Sequence, residues 1–304
     1  MPYDDLSREQ LERALAPHYL ADERTVLVLW LALRMGKPIL VEGPPGVGKT
    51  ALAQSAALAL GHELVRLQCY EGLDESHALY EWDYAKQVLY TQLLRQDATR
   101  SEATGPGLTA AIDALGDADH AFFSERFLLE RPLLRTVRSS KPCVLLIDEV
   151  DRADTEFEAL LLEFLSEFQV TIPELGTLRA AHTPLVLLTT NGTREMTDAL
   201  RRRCLHLFLD YPTPSRELKI LELRLPGIHH QLADELVRFA KKLREMALEK
   251  APSTSETIDW GRALLLLGAS GLERDLVSST LSLLVKHQAD AAKVESKLDA
   301  LLKR

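Results

Sequence analysis

The sequence predicts an α/β fold, a parallel β-sheet flanked by helices, followed by a small all-helical domain. Three observations predict it. Short, almost wholly apolar runs at Ile39-Leu40-Val41, Val144-Leu145-Leu146-Ile147 and Leu185 to Thr190 have the length of strands buried on both faces. Segments of helical periodicity lie between them, as crossover connections between parallel strands require. Beyond Tyr211-Pro212-Thr213-Pro214 the strand signal fades, and leucines recur at helical spacing from Arg216 to Arg304.

Taken in order, Ser7-x-x-Gln10 spells a capping box ahead of Leu11 and Leu15, and Pro17 closes that first helix. A second amphipathic helix spans about Asp22 to Met35 and stops at Gly36 and Pro38. The strand at Ile39–Val41 is followed by a glycine-rich turn and a helix ending at Gly61. Leu64 to Cys69 reads as the next strand. Periodicity is weakest from Tyr70 to about Asp119, and Ala103-Thr104-Gly105-Pro106-Gly107 reads as an exposed loop. A helix is expected around Phe127 to Arg138, then the Val144 strand, then a long helix from Asp154 to about Phe168. Phe168–Ile172 and Thr177–Arg179 flank Pro173 and Gly176, a hairpin pattern. The implied units are N-terminal helices over 1–36, an α/β domain over 37–211 and a helical domain over 212–304.

The length of 304 residues is about two domains' worth, and 46% hydrophobic with 27% charged residues excludes disordered and fibrous classes. A formal charge of −9 argues against duplex nucleic acid as the main partner, while leaving room for a local basic groove. Cys69, Cys143 and Cys204 are scattered, without a CxxC pair, so neither a disulfide framework nor a zinc ribbon is expected. The N-terminus is acidic, and the longest apolar run, Val26 to Leu33, is far short of the roughly 20 residues of a membrane span. A cytoplasmic chain with no membrane span is the expectation. No internal repeat or low-complexity tract is visible.

Four elements carry chemistry. Gly43-Pro44-Pro45-Gly46-Val47-Gly48-Lys49-Thr50 matches GxxxxGK[ST] between an expected strand and an expected helix that continues through Ala51. Glycines let the backbone curl so that successive N–H groups face phosphates, and the helix N-terminus adds its positive end. Lys49 reaches the β- and γ-phosphates in such a loop, and the Thr50 hydroxyl meets Mg²⁺. Asp148 and Glu149 stand at the carboxyl end of a buried strand, where open α/β sheets bind ligands. Asp148 is the candidate for holding Mg²⁺ and Glu149 for polarising an attacking water. Asn191 ends another buried strand and is suited to orient that water or touch the γ-phosphate; Asn191-Gly192 on its own also reads as a turn. Arg201-Arg202-Arg203 fits an arginine finger, a solvated basic face or a small nucleic-acid patch alike.

A P-loop, a strand ending in Asp-Glu, a strand-terminal Asn, an arginine pair and a helical tail together resemble the AAA+ ATPases. The hairpin at about 168–180 resembles the MoxR branch. The blocks Leu67-Gln68-Cys69-Tyr70-Glu71-Gly72-Leu73-Asp74, Ala78-Leu79-Tyr80-Glu81-Trp82 and Phe168 to Thr177 resemble the CoxD-type members linked to molybdenum–copper carbon monoxide dehydrogenase maturation. The resemblance covers about residues 25–270. It implies an AAA+ P-loop sheet with a helical lid, ATP and Mg²⁺ as cofactors, Walker A at Gly43–Thr50, Walker B at Asp148 and Glu149, and sensor 1 at Asn191. It also implies an arginine finger at Arg203, with Arg202 as alternative or helper. Where many relatives begin a lid helix with Ser-Pro-Arg, this chain has Thr257-Ile258-Asp259-Trp260-Gly261-Arg262, which makes Arg262 the candidate sensor 2. A hexameric ring, a partner with a von Willebrand A domain and a client metalloenzyme follow from the same resemblance. The Tyr70–Trp82 segment and the 168–180 hairpin are then candidate client-facing elements, although Tyr80, Trp82 and Tyr84 also alternate as a half-buried strand would.

Two rival functions fit parts of the pattern. A nucleic-acid-linked AAA+ loader or helicase accessory draws only on the arginine cluster. A P-loop small-molecule kinase draws on the phosphate loop but leaves the lid and the finger without a role. His229-His230 has no carboxylate or cysteine companion at ligand spacing and reads as surface, and the cysteines read as small buried residues.

Overall fold

A computed structural model describes residue 3, residues 5–90, residue 92 and residues 124–303. Helices α1 (Arg8–Leu15) and α2 (Glu23–Met35) precede β1 (Ile39–Glu42) and α3 (Lys49–Leu60). Next come β2 (Glu63–Gln68), the short α4 (Glu75–Ala78) and β3 (Tyr80–Trp82). After β4 (Leu128–Glu130) follow α5 (Pro132–Arg138), β5 (Cys143–Asp148) and α6 (Thr155–Glu167). The hairpin β6 (Gln169–Ile172) and β7 (Gly176–Arg179) leads to β8 (Leu185–Thr190), α7 (Asp198–Arg203) and β9 (Leu205–Phe208). The remainder is helical: α8 (Pro214–Arg224), α9 (His230–Glu245), α10 (Thr254–Leu266), α11 (Arg274–Leu284), α12 (Gln288–Glu295) and α13 (Leu298–Leu302).

The main sheet runs β2-β5-β8-β1-β9 with every pairing parallel. Its strands send alternate residues to opposite faces. Leu145, Ile147, Val186 and Leu188 enter one apolar cluster with α5 and α6, while Val144, Leu146, Leu185 and Leu187 enter another with α1, α2 and α3. Both faces are thereby covered, which is why these strands read as unbroken apolar runs. This order also sets the carboxyl ends of β5, β8 and β1 side by side. A third apolar cluster, centred on Trp260 and the surrounding leucines, belongs to the helices after Pro214.

Local signals explain most boundaries. Ser7 and Gln10 form the reciprocal capping box of α1, and Asp22 caps α2, whose end at Gly36 adopts φ +61°. Two expectations need correction, and one strand goes beyond them. The helix expected from Phe127 begins at Pro132, because Leu128–Glu130 instead pairs antiparallel with Tyr80–Trp82; proline at the first helical position favours extended backbone just before it. Tyr84 does not continue the strand of Tyr80 and Trp82; it lies exposed in a helical run over 84–90, with Asp83 Oδ1 accepting from the Lys86 N–H at 2.9 Å. β9, an edge strand paired with β1, was not expected, since four residues directly after a basic helix carry little pattern. The loop expected at 103–107 lies outside the described residues. Among the described residues no helix is long and apolar enough to cross a membrane.

Candidate functional site

The turn after β1 is built on backbone that side chains would obstruct. A Cβ on Gly43 would meet Leu209 O at 2.0 Å, and one on Gly46, at φ +73°, would meet Ser253 Oγ at 2.2 Å. Gly48 adopts φ +103° and opens α3, so the first N–H groups of that helix face the loop. Lys49 is only 7% exposed, and its Nζ donates to Gly43 O at 2.6 Å, Pro44 O at 2.9 Å and Asn191 Oδ1 at 2.8 Å. Burial pulls its ammonium below the usual lysine value, opposed by the carboxylates of Asp151, Asp148 and Glu149.

The acids at the end of β5 are tied to the neighbouring strand. Asp148, 3% exposed, accepts from Thr189 Oγ1 at 2.6 Å and from Thr50 Oγ1 at 3.0 Å. Glu149 adopts φ +56°, uncommon for a residue with a side chain, and its N–H donates to Thr189 Oγ1 at 2.9 Å. Its Oε2 accepts from Gln68 Nε2 at 3.2 Å and Arg152 Nη1 at 3.0 Å. Thr189 on β8 thus links both acids across the strand pair.

Asn191 is held from behind. Asp151 Oδ2 accepts from the N–H groups of Asn191 (3.1 Å) and Thr193 (3.0 Å) and from Thr193 Oγ1 (2.6 Å). Burial on its own would raise the Asp151 carboxyl, yet these donors hold it below its ordinary value. Further on, buried Glu158 accepts from the Thr197 N–H at 2.9 Å and pairs with Arg194 at 2.5 Å. The loop after β8 is therefore anchored at both ends.

Lys49, Thr50, Asp148, Glu149, Thr189 and Asn191 line one cavity, together with Pro45, Gly46, Gly48, Ala51 and, from the start of α10, Ser255. The Ser255 N–H and Oγ donate to Gly46 O at 3.3 and 3.2 Å, so the helical region touches the phosphate loop directly. A second, more apolar cavity adjoins the first and shares Gly46, Gly48, Ala51 and Ser255 with it; Val47, Tyr19, Ile220 and Ile258 add its walls. Arg216 of α8 bridges its rim, donating to Leu20 O at 2.8 Å and Asp22 Oδ2 at 3.1 Å.

Three expected residues stand elsewhere. Arg202 and Arg203 are exposed on α7, and Arg203 donates to Ser166 Oγ on α6. Arg262 does not line either cavity; its side chain is 57% exposed and pairs with Asp259 at 3.6 Å. Sequence reading missed Arg66, Gln68, Asp151, Thr189 and Ser255. Their only local signals were the polar alternation of β2, an acid two residues after Glu149 and the Ser253-x-x-Glu256 capping box that fixes the start of α10. His229 and His230 are exposed, with His230 Nδ1 2.7 Å from Glu222. All three cysteines are buried and free, and burial first, then the acids of the site, pushes the Cys69 thiol up to about 12.

The donors fit a nucleotide phosphate chain with a hard cation. The Thr50 hydroxyl and Asp148 carboxylate offer oxygens, the ligand type Mg²⁺ takes, and among the described residues no group of three or more His, Cys, Asp or Glu forms an all-protein metal cage. Such a loop beside two strand-terminal acids defines a P-loop nucleotide-hydrolysing domain. Residues 38–204, more than half of the chain, match the AAA domain (dynein-related subfamily) model, and the chain belongs to that family. It is an AAA+ ATPase. The chain is 26% identical over 249 residues to Protein NorQ of Paracoccus denitrificans, covering 79% of this chain and 77% of that protein. It is also 26% identical over 252 residues to the denitrification regulatory protein NirQ of Pseudomonas aeruginosa, covering 80% and 82%. Among solved structures, a point mutant of RuvB from Thermotoga maritima is similar over 91% of this chain and 70% of that one, at 17% identity and a TM-score of 0.48.

Proposed function

We propose that this chain is a MoxR-type AAA+ remodeller, acting as an ATP-driven, chaperone-like machine on a client enzyme. The observation that carries the reading is the gathering of Lys49, Thr50, Asp148, Glu149 and Asn191 around one cavity at the ends of adjacent parallel strands. In this reading the Gly43–Thr50 loop and the N-terminus of α3 bind the phosphates of ATP, and Lys49 exchanges backbone carbonyls for phosphate oxygens. Thr50 and Asp148 hold Mg²⁺, which when bound supplies charge neutralisation on the phosphates. Glu149 accepts a proton from the attacking water, and Asn191, fixed through Asp151, orients it.

The position of the arginines supports completion of the site by a neighbour. Arg203, with Arg202 as alternative or helper, lies outside its own subunit's cavity, which suits a finger offered to the next subunit in a hexameric ring. Arg262, the candidate sensor 2, lies outside this cavity, and from the start of α10 it is Ser255 that contacts the phosphate loop. The extended likeness to NorQ and to NirQ, a denitrification regulatory protein, supports a client enzyme of redox metabolism. Maturation of a molybdenum–copper carbon monoxide dehydrogenase, a partner with a von Willebrand A domain and a cytoplasmic setting are the finer parts of the proposal, drawn from the sequence blocks named above.

The test is specific ATPase activity against protein concentration, with sedimentation in ATP alongside. Activity that climbs as a hexamer-sized species forms supports a shared site. A monomer with flat specific activity removes the arginine finger and leaves a stand-alone P-loop switch. In the same assay Glu149→Gln retains ATP binding and loses turnover by roughly 10²–10⁴-fold, the range of general-base catalysis.

A further inference from the structure

Strand β2 brings two polar side chains to the acid-bearing end of β5. Val65 and Leu67 are buried, while Arg66 and Gln68 face outward. In the parallel register Gln68 stands beside Asp148 and Arg66 beside Leu146, so the arginine side chain runs forward along the strand to reach the carboxylate. Arg66 Nη2 donates to Asp148 Oδ2 at 2.6 Å and to Gln68 Oε1 at 2.6 Å.

The two oxygens of Asp148 thus have different company. Oδ1 is fixed by the Thr189 hydroxyl, the Thr50 hydroxyl lies between both oxygens at 3.0 and 3.2 Å, and Oδ2 alone carries a guanidinium. The Arg66 side chain is 48% exposed against 5% for Asp148, so the guanidinium meets the acid from the solvent side. A divalent cation sharing this carboxylate with Thr50 sits beside a fixed positive charge, and the two repel. We propose that Arg66 is a positioning residue that tunes the affinity of the Asp148–Thr50 pair for a divalent cation, keeping it weaker than the oxygens alone provide. The proposal rests on the reading of Asp148 and Thr50 as the cation-binding pair. Without Arg66 the carboxylate keeps its orientation through Thr189, so the ligand stays and the repulsion goes. A purely structural role has the opposite sign, because a loosened Asp148 binds the cation more weakly.

The experiment is Mn²⁺ binding to the full chain at saturating non-hydrolysable ATP analogue, read from the electron paramagnetic resonance signal of free Mn²⁺. Arg66→Gln is expected to bind Mn²⁺ roughly tenfold more tightly than wild type, as loss of a nearby like charge predicts, and Arg66→Lys to stay within about twofold. Unchanged or weaker binding in Arg66→Gln overturns the proposal, as does equal tightening in Arg66→Lys. Analogue affinity in EDTA is measured in parallel. A wild-type chain that binds no analogue with or without Mn²⁺ overturns the nucleotide-site reading itself, whereas one that binds both leaves only Arg66 on trial.

Discussion

At the scale of single residues the site is a set of charges that hold one another in place. Lys49 is surrounded by carbonyls and by Asn191, and its own charge is balanced by Asp151, Asp148 and Glu149. Lys49→Ala removes, among the described residues, the only ammonium lining the cavity. Hydrogen bonds to charged groups contribute roughly 1.5–3 kcal/mol, so calorimetric ATP affinity should fall about ten- to a hundredfold. Asp151 behaves differently, because its carboxyl lies below the ordinary value in the folded state. Its contribution is present above the unfolded value of about 3.9 and is lost as pH falls through the lower folded value. The acid-side loss of stability, measured as urea midpoints at pH 6 and pH 3, should therefore be smaller in Asp151→Asn than in wild type.

At the scale of elements, what was legible followed from how far along the chain a signal reaches. The phosphate loop, the acids closing β5 and the strand β8 are contiguous runs, so Gly43–Thr50, Asp148, Glu149 and Asn191 could be picked out without coordinates. Arg66 could not, because its partner is 82 residues away and depends on β2 lying beside β5. Ser255 needed the packing of α10 against Gly46. The pairing of Tyr80–Trp82 with Leu128–Glu130 is equally non-local, and Leu128 alone looks like the start of the helix that Pro132 actually opens. The helical region has its own organising pair. Arg244 on α9 donates to both oxygens of Glu217 on α8 at 2.7 Å, to Pro252 O at 2.8 Å, and lies over the Tyr211 ring at 5.4 Å. Glu217 is 1% exposed. Arg244→Met leaves that carboxylate without a counter-charge, which typically costs about 3–5 kcal/mol. Thermal unfolding of this variant should show the loss, and Glu217→Gln on the same background should recover part of it.

At the scale of the whole molecule, the separation of the two chemistries makes a strong prediction. Each subunit carries the cavity with Lys49 and, on its exposed α7, Arg203. Arg203→Ala subunits keep an intact cavity and Lys49→Ala subunits keep an intact arginine. Each is expected to be inactive alone, and a mixture should regain a fraction of wild-type turnover that depends on mixing ratio. A mixture as silent as its components counts against action across subunits.

The bridge that Arg216 makes from α8 to Leu20 and Asp22 has a consequence for timing. The wall of the apolar cavity comes partly from the helices after Pro214 and partly from the segment before α2, and Arg216 fastens the two together across its rim. Anything seated in that cavity touches both walls, so its hold is coupled to how the helices after Pro214 sit against the segment before α2. Under the proposed function, release of spent nucleotide is then expected to depend on whether this fastening opens.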